Sequence, residues 1–205
     1  MHKYIVDTEF AVANLLKLIT AEEEQLEPLV AHLGSMEAQL RVHRWDFESS
    51  DLNDDFSDAY VMAAFGRMAR AAQAVEALEK QVAELQASIG AHQQATQAIA
   101  GGVLQIAKQG ISLVHGRKAR APEGRKIGSL PIRDIIWEAR NQALHFEEGR
   151  FNNPVIEVFE ALERERGTEF SLAVHGRKSR AKQVLRLLGW SSFEDYARDM
   201  SELLS

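Results

Sequence analysis

The chain has 205 residues, 45% of them apolar and 26% charged, enough to bury a real core. It contains no cysteine, which excludes disulfides, thiolate chemistry and cysteine zinc sites. No run approaches the ~20 continuous apolar residues of a membrane span, and residues 1–7 meet an aspartate too early for a signal peptide, so a cytoplasmic chain with no membrane partner is expected.

The net charge of -6 is unevenly spread. Residues 1–66 hold four basic and thirteen acidic residues, net -9, which leaves +3 for 67–205. Within that remainder, 104–133 carries seven basic residues against one acidic, and 177–186 carries five against none. A polyanion binder needs a local basic surface, not a basic average.

Alanine, leucine, glutamate and glutamine dominate, and the chain reads as all-α. A first helix is predicted from Asp7 or Thr8 through Phe10, Ala11, Leu15, Leu16 and Ile19, continuing over 21–40 with a break near Pro28 or Gly34. Residues 44–58 read as a connector around Trp45, Phe47 and Phe56. Asp51, Asn53 and Asp55 resemble the opening of a calcium loop, but Phe56 replaces its glycine and Met62 its final glutamate, so calcium is rejected.

A long helix capped by Ser57 or Asp58 follows. Its stripe of Val61, Phe65, Met68, Ala72, Val75, Leu78, Val82, Leu85 and Ile89 suits bundle packing. Gly101 and Gly102 are expected to end or bend it, ahead of a short apolar segment at 103–113 and a basic loop over 115–128. The third helix takes Ser129 as N-cap, Pro131 in its first turn and Gly149 as its stop. Asn153-Pro154 opens another helix closed by Gly167, and 168–174 reads as a short strand or loop. Two short helices follow, split at Gly189, with Ser192 and Asp195 as a capping pair.

Val114-His115-Gly116-Arg117-Lys118-Ala119-Arg120 returns as Val174-His175-Gly176-Arg177-Lys178-Ser179-Arg180. Six of seven positions match, yet nothing around them repeats. One reading makes Arg117, Lys118, Arg120, Arg177, Lys178 and Arg180 phosphate-gripping RNA contacts; the other makes them two solvated loops alike by accident.

The third helix carries the chemistry. Advancing about 100° per residue, Ile132, Ile135, Ile136, Ala139, Ala143 and Phe146 fall within about 60° of one direction, the core stripe. Asp134, Glu138, Asn141, His145 and Glu148 gather opposite, with Arg140 between. Trp137 and Leu144 lie off the stripe beside this cluster, which points to a second buried contact such as a homodimer interface.

Arg140-Asn141 followed by His145, on a helix with a punctuated start and a terminal glycine, resembles the signature of the HEPN superfamily. In that pattern an arginine precedes a polar residue, and a histidine comes after four to six intervening positions; here four intervene. The sharp match covers about 129–150 and extends loosely to the flanking helices. It implies a HEPN-like helical bundle with long antiparallel helices, working as a homodimer. The expected layout is one domain over 1–205, with N-terminal helices over 1–56, a HEPN-like core over about 57–166 and a short-helix extension over 167–205.

The resemblance further implies a metal-independent endoribonuclease of toxin–antitoxin or phage-defence type, with RNA as partner and a cognate antitoxin protein as a further one. A ribose 2′-hydroxyl would attack the adjacent phosphate. An imidazole moves protons near neutrality, which suits His145, and Arg140 offers a planar fork to oxygens gaining charge. Asn141 could fix the His145 ring or bind substrate, and Glu138 could support it. No cofactor or metal is required, and no histidine or carboxylate spacing makes a metal set. The competing reading is a non-catalytic helical interaction or RNA-binding protein, favoured by the alanine-rich 57–99 segment and the acidic N-terminal third. A DNA-binding regulator would rest only on the basic 177–186 run.

Overall fold

The computed structural model describes residues 2–49 and 58–205. Among them the chain is almost wholly helical: α1 spans Lys3–Ser49, α2 Asp58–His115, α3 Ile132–His145, α4 Asn153–Arg166, α5 Leu172–His175, α6 Ala181–Leu188 and α7 Phe193–Leu203. One two-stranded hairpin, β1 (Lys126–Ile127) with β2 (Leu130–Pro131), precedes α3. No helix is long and apolar enough to cross a membrane among the described residues.

The chain forms two compact units, one of residues up to 22 with 94–205 and the other of 23–93. This grouping differs from the expected 1–56, 57–166 and 167–205 layout, because α1 and α2 each contribute to both units.

In the unit of 23–93 the helices run antiparallel. Arg44 Nη2 lies 2.5 Å from Glu79 Oε1, and Gln86 Nε2 donates to Glu37 Oε1 at 3.3 Å. Met36, Val82 and Ile89 are buried, while Phe65 and Trp45 are exposed. The stripe predicted for α2 is therefore covered at its later positions and open at Phe65. Neither Pro28 nor Gly34 interrupts α1, which is helical through to Ser49. The rest of the expected connector, the Ser57 cap and the rejected calcium loop's Asp51, Asn53 and Asp55 lie outside the described residues.

The other unit holds the main core. Ile5, Val12 and Leu16 of α1 are buried, at spacings of seven and four, with Leu15 and Ile19 partly packed. Phe10, expected on that stripe, instead points outward. Gly101 and Gly102 do not end α2; both sit inside it. They admit neighbours: a Cβ on Gly101 would lie 3.8 Å from Ala143 of α3, and one on Gly102 3.6 Å from Leu15 of α1. Gly110 is tighter still, since a Cβ there would come within 2.6 Å of the Tyr4 ring.

α4 opens at Asn152, whose side chain accepts from Val155 N, and closes at Gly167. Residues 168–174 form a single 3-10 turn and the start of α5, not a strand. α6 buries Ala181, Val184, Leu185 and Leu188 on one face and ends at Gly189. α7 starts at Ser192, whose hydroxyl accepts from Asp195 N at 3.3 Å. Asp199 of α7 ties the C-terminal helices to the segment before the hairpin. It accepts from Arg125 Nε and Nη2, both at 2.8 Å, and from Trp190 Nε1 at 2.8 Å. Trp190 is thus a core residue.

The hairpin sets the start of α3. Gly128 turns it at φ 61, and the Glu165 carboxylate of α4 closes over it, accepting from Ser129 N at 3.1 Å and Ser129 Oγ at 2.5 Å. A side chain on Gly128 would collide with that carboxylate. Ser129 is consequently a turn residue and not the predicted N-cap, a position that Pro131 occupies.

Candidate active site on the third helix

α3 packs against α2, α4 and α6, so only part of its circumference is open. Ile132, Ile135, Ile136 and Ala139 are buried as their periodicity predicts. The buried arc runs about 60° further round than the apolar stripe and takes in two polar residues, Glu138 and Gln142. Glu138 is 2% exposed and Gln142 fully covered.

Those two buried groups are the docking points of the repeated segments. Lys118, in the first copy, places Nζ 2.5 Å from Glu138 Oε1 and 3.9 Å from Asp134 Oδ1. In the second copy, Gln142 Nε2 donates to the Lys178 carbonyl, and Gln142 Oε1 accepts from Arg180 N, both at 2.9 Å. Glu138 and Gln142 are one helical turn apart, so the two copies grip adjacent turns of one helix. Each copy also begins alike: a helix ends at a histidine that hydrogen-bonds a backbone carbonyl, His115 to Leu203 at 2.8 Å and His175 to Thr168 at 3.0 Å. A glycine with positive φ follows in both, Gly116 and Gly176. The echo therefore has a structural role in holding α3.

That role redistributes the basic residues. Lys118 is neutralised by Glu138. Arg180 is buried, donating to the Ser179 and Glu169 carbonyls, and burial lowers its pKa from the ordinary arginine value. It is removed from the set of surface phosphate contacts. Arg117, Arg120, Arg177 and Lys178 remain exposed. Arg177 lies over the turn after α3, where a Cβ on Gly149 would stand 3.1 Å from its Nε.

The predicted catalytic residues divide into two sets. Arg140 Nε donates to Gln105 Oε1 of α2 at 2.5 Å, and its Nη1 donates to Asn141 Oδ1 at 3.2 Å. Asn141 Nδ2 in turn donates to Glu138 Oε2 at 3.0 Å. A polar relay thus runs from Gln105 through Arg140, Asn141 and Glu138 to Lys118. His145 lies outside it. Its Nδ1 is 2.7 Å from Glu148 Oε1, in the 3-10 turn after α3. An ionised carboxylate only accepts, so Nδ1 carries the proton and Nε2 is left as the open, basic nitrogen.

Of the roles open to them, Asn141 and Glu138 do not take that of orienting the His145 ring; Glu148 holds it instead. The reason is burial: the arc that hides Glu138 turns its carboxylate toward Lys118. Arg140 and His145, five residues apart, stand about 140° apart around the helix and share no hydrogen-bond partner. Trp137 is half-buried against the core, with Lys108 Nζ 4.4 Å from its ring centroid, while Leu144 is 58% exposed. Sequence reasoning missed Gln105, Lys108, Gln142 and the role of Glu148. The three-residue step from His145 to Glu148 was the one available signal.

Comparison with protein-family models, with curated proteins and with solved structures finds no match to this chain.

Proposed function

We propose that the chain is a metal-independent endoribonuclease of the HEPN type, toxin-like or phage-defence-like, cutting RNA as a cytoplasmic homodimer. One observation carries this reading: an exposed imidazole, held at Nδ1 by Glu148, shares a helix five residues along from an arginine with no carboxylate partner among the described residues.

The reaction balances without an external reagent. Nε2 of His145 takes the proton of a ribose 2′-hydroxyl, whose oxygen bonds to the adjacent phosphorus while the bond to the 5′-oxygen breaks. The departing 5′-oxygen takes a proton from an imidazolium, and a 2′,3′-cyclic phosphate remains. Arg140 stabilises the charge gathering on the phosphate oxygens. Glu148 fixes the ring's orientation through Nδ1, as the carboxylate does in a histidine–carboxylate pair. Two copies of α3, brought together along Leu144, would supply one imidazole as base and the other as acid.

A second reading, a non-catalytic RNA-binding or interaction protein of the same type, is favoured by the separation of Arg140 from His145 within one chain. Host growth separates the two. Under the first, expression slows growth, and His145→Ala restores it. Equal growth with the parent and the variant supports the second.

A further inference from the structure

Where α2 crosses α3 the helices run antiparallel, and three successive contacts mark the crossing. Gly101 meets Ala143, Gln105 accepts from Arg140, and Lys108 covers Trp137. Gln105 and Lys108 are one turn apart on α2, as Trp137 and Arg140 are on α3. The four side chains form one cluster carrying two positive charges, all of them partly open to solvent.

Among the described residues neither charge has a carboxylate partner. The hydrogen bonds of Arg140 go to the neutral amides of Gln105 and Asn141, which leaves most of its N–H donors open. Lys108 rests on the face of an indole. Elsewhere in this unit Lys118, Arg125, Arg133 and Arg198 each have a carboxylate within 4 Å. Burial, and then the charge on Arg140, lowers the pKa of Lys108 from the ordinary lysine value. Two cations that repel each other without a counter-charge form a site whose electrostatics an anion would complete.

We propose that Lys108 and Arg140 together bind one phosphate group of the RNA, with Gln105 aiming the guanidinium and Trp137 fixing the ammonium. Arg140 contributes a planar fork and Lys108 a compact point charge, which suits a tetrahedral anion better than either alone. This inference rests on the reading of the chain as RNA-directed.

The test uses the full chain carrying His145→Ala, so that bound RNA is not cut, and a fluorescent single-stranded RNA across a salt series. Lys108→Gln should weaken binding about tenfold and lower the slope of log affinity against log salt by about 0.7. Lys108→Arg should restore both. In parallel, inorganic phosphate should shift the Trp137 indole N–H resonance in the parent and not in Lys108→Gln. Unchanged RNA affinity and slope in Lys108→Gln would overturn the phosphate pair while leaving the ribonuclease reading intact. A Lys108-dependent response to phosphate with no binding or cutting of RNA would keep the anion site and remove the ribonuclease reading. An unresponsive Trp137 would overturn the pair.

Discussion

The Glu138 carboxylate has an ammonium on one oxygen, Lys118 at 2.5 Å, and an amide on the other, Asn141 at 3.0 Å. Removing it leaves Lys118, which is 30% exposed, with only Asp134 at 3.9 Å, and takes away the acceptor of the Asn141 amide. Glu138→Ala should therefore lower unfolding free energy by about 2 kcal/mol, read from urea denaturation, and Glu138→Gln by less, because it keeps the Asn141 contact. Identical midpoints for Glu138→Ala and the parent would contradict that account. At the hairpin, hydrogen bonds from Ser129 hold the Glu165 carboxyl below its ordinary value of 4.5. A depressed carboxylate stabilises the fold fully above the unfolded value and loses that contribution as pH falls through the folded one. Exchange protection of the Ser129 amide should thus persist through the ordinary glutamate range and fade only at pH below 4.5; protection insensitive to acid would exclude the latch. Arg140, Asn141 and His145 were legible as polar positions off the core stripe, but neither their partners nor the separation of His145 from the other two was. Glu148, Gln105 and Lys108 become partners only through the path of the chain after α3 and the crossing with α2.

At the scale of the element, α3 is held from outside by two copies of one short segment. Gln142 closes the second of these contacts by satisfying the Lys178 carbonyl and the Arg180 amide at once. Gln142→Ala would leave the buried Arg180 amide without its partner, at a cost of about 1–3 kcal/mol, and the half-covered Lys178 carbonyl open to water at a lower one. Hydrogen exchange should then quicken at Arg180 before it quickens in α4; uniform exchange across the unit would argue against a local clamp. Periodicity located α3, α4, α6 and α7 because each buries one clear apolar face, and a glycine follows the first three of them. It located α1 and α2 as well but placed their ends too early, since both run on through the expected breaks. Pro28 removes one donor from α1, and that loss does not break it. Gly101 and Gly102 read as a break in sequence, yet in α2 they admit neighbouring side chains, as Gly110 does further along.

For the whole molecule, the two compact units divide the charge unevenly. Most of the acidic N-terminal third belongs to the unit of 23–93, whereas the exposed cations of both repeated segments belong to the unit that holds α3. The buried Asp199, bonded to Arg125 and Trp190, links the C-terminal helices of that unit to the segment entering the hairpin. Asp199→Ala would leave Trp190 Nε1 without its acceptor and Arg125 without its carboxylate. It should lower stability by about 3 kcal/mol and reduce RNA cleavage only through loss of folded protein. Charge asymmetry was legible from composition, but its division between units was not, because both long helices pass through each unit.

The most direct measurement is cleavage of a single-stranded RNA by purified protein in EDTA, with the ends of the products identified. The account predicts 2′,3′-cyclic phosphate ends from the parent, none from His145→Ala, and nearly none from Arg140→Ala. Cutting by His145→Ala at the parent rate, or an intact RNA after incubation with folded parent protein, would contradict it.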